Sequence, residues 1–125
     1  MTAAKTTELP RRSKLAGLEH EPLGYRVETR EGTIGRVEHL TYDKRWMIVR
    51  TGTRLFGTRH VVLADAVQSV VPARKQVFVE LSEREIKSAP EYDSDTGVDG
   101  DLERRAEAYY GLIVLNRKSR AELVS

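Results

Sequence analysis

The chain has 125 residues, a charged fraction of 32% and a formal net charge of +2, which is typical of one soluble domain with tails. It contains no cysteine, and this excludes disulfides and thiolate metal sites. No apolar run is longer than four residues, and residues 1–20 lack a hydrophobic signal core. We therefore expect no transmembrane segment and a cytoplasmic location.

Residues 1–20 mix charged and small side chains without periodicity and contain Pro10. This composition predicts a flexible N-terminal arm, or a short wrapping segment near Leu15 to Leu18. The arm has a net charge of +2, as do residues 116–125, so the middle of the chain carries −2. Basic ends of this kind are either solvated tails or contacts for nucleic acid or anionic lipid.

Residues 21–90 show the two-residue period of β-strands. A first strand is predicted over residues 25–29 and turns back at Glu31-Gly32. In the second strand the alternation fails once at Gly35, where we expect a bulge or a tight bend. Further strands are predicted at residues 46–51, 58–63, 67–71 and 76–81.

The stretch from Val77 to Tyr92 leads a strand into a capped helical turn. Ser82 and Glu85 match the S-x-x-E capping box, in which each side chain bonds an unpaired amide at the helix start. Pro90 predicts that the helix ends close to Ala89. With the strands before it, this pattern predicts a mainly β fold: a small antiparallel, partly open β-barrel of five to six strands with one or two short C-terminal helices.

A second helix is predicted over residues 102–110, capped by Asp99 or Asp101. Gly111 is expected to end it in the left-handed conformation. The apolar run Leu112–Leu115 comes next. It is predicted either to pack on its own barrel or to add as a strand to the exposed edge of a neighbouring copy.

Together these motifs resemble a PRC-barrel domain, a family named after the cytoplasmic part of the photosynthetic reaction centre H subunit. Similar domains form the C-terminal half of a ribosome maturation factor and occur as stand-alone bacterial and archaeal proteins. The motifs that carry the resemblance are Gly24, Ile34-Gly35-Arg36-Val37, Leu63-Ala64-Asp65-Ala66-Val67, Val77-Phe78-Val79 leading into Ser82 to Tyr92, and Ala108-Tyr109-Tyr110-Gly111.

The resemblance covers about residues 23–111 and divides the chain into an arm (1–20), a PRC-barrel domain (21–90) and a tail (91–125) with an acidic linker, a short helix and an apolar, basic end. At Val62-Leu63-Ala64-Asp65 the proline usual in the family is missing. The resemblance implies the stand-alone type, whose members act mostly as adaptors, and it implies no catalytic residues.

The acidic stretch from Glu91 to Glu103 is the one candidate for binding a divalent cation. A calcium-loop frame that starts at Asp95 places Gly100 correctly at its sixth position, but Ala106 stands at the twelfth, where a bidentate glutamate is needed. A solvated acidic linker is therefore the preferred interpretation, and weak magnesium or calcium association is the alternative.

Nothing in the sequence predicts an enzyme. His20, His39 and His60 have no neighbours at metal-ligand spacing and are interpreted as structural or surface residues. No nucleophile elbow, phosphate-binding glycine loop or metallohydrolase helix is present. We expect no catalytic residue, bound metal or cofactor.

The leading prediction is a non-enzymatic adaptor that binds protein partners and forms a homodimer. Its contact residues are expected in the loop Gly52 to Gly57 and in the tail: Arg54, Phe56, Tyr109, Tyr110, Leu112, Ile113, Val114 and Leu115. A second prediction is an RNA- or ribosome-associated factor, and a third is a peripheral subunit of a photosynthetic or other membrane complex.

RNA binding would use a platform of aromatic residues for base stacking. Its members would be Trp46, Phe56 and Tyr25, beside Arg36, Arg45, Arg50, Arg54 and Arg59. For Trp46 a place in the core is the preferred interpretation, whereas Phe56 is expected to be exposed.

Overall fold

A computed structural model describes residue 15, residues 18–53 and residues 55–124, with side chains as far as residue 117. In chain order its strands are β1 Arg26–Thr29, β2 Gly32–Leu40, β3 Trp46–Thr51, β4 Thr58–Leu63, β5 Val67–Val71 and β6 Gln76–Val79. Short 3-10 turns, Ala64–Ala66 and Pro72–Arg74, stand before and after β5. Two helices follow the strands, α1 Glu83–Lys87 and α2 Gly100–Val124.

The strands form one sheet in the order β4-β3-β2-β1-β6-β5. It does not close into a full barrel, because β4 and β5 remain as its two edges. This confirms the predicted small, mainly β, partly open fold. The pairing of β1 with β6 is parallel, whereas the other four pairings are antiparallel. The sheet is therefore mixed, whereas the sequence predicted antiparallel pairing, because the last strand returns beside the first one in the same direction.

The predicted irregularity near Gly35 is confirmed. The register between β1 and β2 skips Ile34, which makes this residue the extra one of a β-bulge. A Cβ atom at Gly35 would lie 2.1 Å from the carbonyl oxygen of Arg50, so a side chain at this position would collide with β3. Despite the break in alternation, Ile34, Val37 and Leu40 are all buried.

The core contains Trp46, which is only 1% exposed, as the sequence interpretation preferred. Leu15 is also buried, and Leu18 packs against the same cluster. The described part of the predicted wrapping segment therefore belongs to the core. The rest of the predicted arm, residues 1–14, 16 and 17, lies outside the described residues.

Helix α1 begins with the predicted capping box. The Glu85 amide donates to Ser82 Oγ at 3.0 Å, and the Ser82 amide donates to Glu85 Oε1 at 2.9 Å. The carboxylate of Glu31 accepts a further bond from the Glu83 amide at 3.2 Å, and this bond lowers the pKa of Glu31. The first turn of α1 is thus tied to the hairpin between β1 and β2.

Helix α2 is much longer than predicted. It continues through Gly111 to Val124, so the left-handed cap expected at Gly111 is wrong and Leu112–Leu115 is helical instead of extended. Glycine inside a helix costs about 1 kcal/mol relative to alanine. Packing of Tyr110 and Ile113 on the barrel side outweighs that cost. Among the described residues, no helix has both the length and the apolar character needed to cross a bilayer.

Candidate functional site

Two adjacent tyrosines hold α2 on the barrel. The Tyr110 side chain is 4% exposed, and its hydroxyl donates to the Val61 carbonyl oxygen at 2.6 Å. The Tyr109 hydroxyl donates to the Glu85 carbonyl oxygen at 2.6 Å. Burial raises the pKa of both hydroxyls. The structure therefore places Tyr110 inside the protein and Tyr109 half-buried against α1, although both were predicted as partner contacts.

A second attachment joins the start of α2 to β3. The Trp46 indole N–H donates to Glu103 Oε2 at 3.1 Å. The Arg45 guanidinium carbon lies 5.1 Å from the centroid of the Trp46 ring, and the same group pairs with Glu103 at 3.3 Å and Glu107 at 2.9 Å. Arg45, which the sequence suggested as a nucleic-acid contact, is thus engaged with α2.

The side of α2 that faces away from the barrel is apolar near its middle. Leu112 and Leu115 are each 60% exposed and lie one turn apart. Ala108 and Gly111 are exposed on the same side of the helix. We call these four residues the outer α2 face. On the opposite, inward side of the helix, Leu102, Ala106 and Tyr110 are buried.

The other predicted contacts of this segment point elsewhere. Ile113 is half-buried and packs against the core. Val114 is 55% exposed, but it lies about 160° around the helix from Leu112. Arg54, the predicted contact between β3 and β4, lies outside the described residues. The residues Leu112 to Leu115, which the sequence presented as one apolar block, therefore point to different sides of α2.

The loop between β3 and β4 presents two apolar side chains to solvent. Leu55 is 82% exposed and Phe56 is 87% exposed, which confirms the prediction for Phe56. The Phe56 amide donates to Thr53 Oγ1 at 3.0 Å. A Cβ atom at Gly57 would lie 2.0 Å from the Thr51 carbonyl oxygen, so the turn requires glycine there. We call Leu55 and Phe56 the loop tip.

The predicted stacking platform of three aromatic residues is not formed. Trp46 is buried against α2 and Tyr25 is half-buried against the core. Phe56 is the only one of the three whose ring is freely exposed. Base stacking on Trp46, which the predicted RNA-binding platform included, is therefore excluded.

His60 has a structural role. It is buried, with Nδ1 at 2.9 Å from the Ala89 carbonyl oxygen and Nε2 at 2.8 Å from Thr58 Oγ1. Because a carbonyl oxygen can only accept, Nδ1 carries the proton in this bond. The Thr58 hydroxyl shares a hydrogen bond with Nε2. The Nδ1 bond joins β4 to the segment after α1, and the Nε2 contact lies within β4 itself.

The acidic stretch supplies turns and a helix cap. Asp99 accepts from the Leu102 amide at 2.9 Å, which identifies it as the cap of α2. The side chain of Asp93 accepts from the Asp95 amide at 2.9 Å. Within the described part of the chain, no three acidic or histidine side chains are grouped closely enough to hold a metal ion.

The chain matches no protein-family model and no curated protein. The resemblance to PRC-barrel domains therefore rests on the motifs and their order. In the described part of the chain, the outer α2 face and the loop tip each bring two exposed large apolar side chains together, and these two surfaces form the candidate functional site.

Proposed function

We propose that the protein is a non-enzymatic adaptor of the PRC-barrel type, which associates with a second copy of itself through the outer α2 face. The observation that carries this proposal is the exposure of Leu112 and Leu115 at 60% each, on a helix whose opposite side is already packed on the barrel. Contiguous exposed apolar surface on a soluble domain is typical of an interaction site.

The shape of this face suits a second helix. Ala108 and Gly111 carry little or no side chain, so another helix can approach to about 8 Å, the lower end of the usual interaxial range. Burial of a leucine side chain contributes about 1.5–3 kcal/mol. In a symmetric dimer the same leucines bury against one another from both copies, and their contribution is doubled.

The interface must extend beyond these four residues. A stable dimer buries roughly 1,200–2,000 Å² in total, which is more than the outer α2 face supplies alone. Helix α2 has 25 residues and is therefore about 38 Å long, so pairing along its length can supply the remaining area.

The loop tip is the surface proposed for protein partners. An aromatic side chain on a turn of fixed shape buries a large area and loses little conformational freedom on binding. Phe56 with Leu55 beside it has this character. The tip belongs to a different element from the outer α2 face, and an adaptor needs two such separate surfaces.

Light scattering coupled to size exclusion tests the self-association. The wild type is expected at the dimer mass over a concentration series, and a Leu112→Glu/Leu115→Glu double variant at the monomer mass. Val114→Glu is the matched control, because Val114 is similarly exposed on another side of the helix. A monomeric wild type at every concentration, or equal disruption by the control, would contradict the proposal.

A further inference from the structure

Four arginines form a continuous row across the outer face of the sheet. The strand register places Arg26 on β1 opposite Arg36 on β2, Arg36 opposite Arg50 on β3, and Arg50 opposite Arg59 on β4. Directly opposed residues lie about 5 Å apart, so the row is about 15 Å long. All four side chains are exposed or half-buried. We call these residues the arginine row.

The row carries more positive charge than its neighbours neutralise. Glu38 pairs with both Arg50 and Arg59, and Glu28 pairs with Arg26 at 3.3 Å. The Arg36 guanidinium donates to the Gly24 carbonyl oxygen at 2.9 Å, which is a neutral partner. Two carboxylates thus pair with three of the four guanidiniums, and the arginine row retains a local charge of about +2.

Like charges placed directly opposite one another on neighbouring strands destabilise a sheet. Three successive arginine–arginine pairs are therefore a cost, which Glu28 and Glu38 offset only in part. An anionic ligand would remove that cost, because each phosphate group can bridge two neighbouring guanidiniums.

A groove of about 670 Å³ lies along the same face. Arg26, Arg36 and Arg50 line it. The row is one side chain wide, which suits a single phosphate backbone better than the two backbones of a duplex or the broad plane of a membrane. Arginine also bonds phosphate oxygens through two parallel N–H groups, which lysine cannot do.

From this register and charge count we propose that the arginine row binds the phosphodiester backbone of single-stranded nucleic acid. Contacts to phosphate carry no sequence information, so the site is expected to bind single strands without reading their sequence. Its members differ from the earlier sequence-based set, since Arg26 joins the row and Arg45 is engaged with α2.

Fluorescence anisotropy with a labelled oligouridylate of about ten nucleotides tests this site. With two net charges neutralised, the logarithm of the association constant should fall against the logarithm of salt concentration with a slope of about −1.4. An Arg36→Gln/Arg50→Gln variant is expected to bind at least about tenfold more weakly at low salt and with a flatter slope.

A matched control removes the same charge from another surface. Arg104 and Arg105 are exposed on α2, where both pair with Asp101, and an Arg104→Gln/Arg105→Gln variant should change the affinity less than about twofold. A variant that is expected to bind more tightly gives a result that misfolding cannot produce. Glu38→Gln releases Arg50 and Arg59 and is expected to tighten binding and to steepen the slope to about −2.1.

Three results would overturn the proposal. They are an equal loss of affinity in the α2 control variant, no gain with Glu38→Gln, and binding to vesicles of phosphatidylglycerol in phosphatidylcholine without binding to the oligonucleotide. Thermal unfolding of every variant, recorded alongside, identifies any loss of affinity that comes from loss of the fold.

Discussion

The hydroxyl of Tyr110 donates a hydrogen bond to the carbonyl oxygen of Val61, 49 residues earlier in the chain. Val61 lies on β4, an edge strand of the sheet. Its amide is satisfied by the Pro90 carbonyl oxygen at 3.0 Å, and the Tyr92 amide donates to the Arg59 carbonyl oxygen at 2.8 Å. The outward backbone groups at the centre of this edge are therefore covered by later parts of the same chain.

Removal of the Tyr110 hydroxyl should destabilise the fold. Tyr110→Phe keeps the ring in the core and leaves the buried Val61 carbonyl oxygen without that donor, so we expect a loss of about 1–3 kcal/mol in the free energy of unfolding. Tyr109→Phe is the comparison, because its hydroxyl bonds Glu85 in a half-buried place and its removal should cost less. Urea denaturation measures both, and equal losses would contradict the prediction.

Two glycines should respond to alanine in opposite directions. At Gly57 the added Cβ atom would lie 2.0 Å from the Thr51 carbonyl oxygen, so we expect Gly57→Ala to cost about 1–3 kcal/mol. At Gly111 the added atom would meet nothing within 4 Å, and the site is helical, so Gly111→Ala should stabilise by about 0.5–1 kcal/mol. Thermal unfolding gives the signs. Destabilisation at Gly111 would favour the left-handed cap that the sequence first suggested.

Acid should weaken the fold through Glu28. Its pKa is lowered, chiefly by the Thr33 hydroxyl, which donates to both carboxylate oxygens at 2.7 and 2.8 Å, and burial opposes this shift only in part. A group whose pKa is lower in the folded state stabilises the protein above its unfolded pKa, near 4.5. That contribution is lost as the pH falls from this value through the folded pKa.

The variant Thr33→Val isolates this contribution. The free energy of unfolding of the wild type should decline on acidification below about pH 4.5, and the decline should be smaller in the variant. Asp43, whose pKa is lowered chiefly by the Thr41 hydroxyl, titrates in the same direction and remains in both proteins as an internal reference. Identical pH profiles for the two proteins would show that the Thr33 bond does not act on Glu28.

The loop tip should tolerate polar substitution. Leu55 and Phe56 are exposed, so Leu55→Ser/Phe56→Ser is expected to change the free energy of unfolding by less than about 0.5 kcal/mol per site. Trp46→Ala, in contrast, empties a core position and should cost about 3–5 kcal/mol. A large loss of stability in the double serine variant would mean that the tip supports the fold, and its proposed role in binding would fail.

Local chemistry made several features predictable from the sequence. The Ser82–Glu85 capping box needs residues only three positions apart, and the bulge beside Gly35 is visible as a break in a short period. The burial of Trp46 follows from its size in a chain with few aromatic residues. In each case the determining contacts lie within the residue's own element or in a core that any small barrel needs.

Features that depend on distant contacts were not predictable. Helix α2 continues past Gly111 because Tyr110 and Ile113 pack on strands formed much earlier in the chain. The parallel pairing of β1 with β6 has no local signal. The sequence suggested Arg36, Arg50 and Arg59 as nucleic-acid contacts, but not Arg26 and not their alignment, since the four residues are spread over four strands and only the register aligns them.

Coverage of the β4 edge has a consequence for the order of events during synthesis. The strand is complete at Leu63. Tyr110, the last residue that bonds its outer edge, leaves the ribosome 47 residues later than Leu63. At 5–20 residues per second, roughly two to nine seconds pass in which a nascent sheet offers an open edge to other chains. A translational pause just before Tyr110 would lengthen that interval, so codon choice in this stretch should influence the yield of soluble protein.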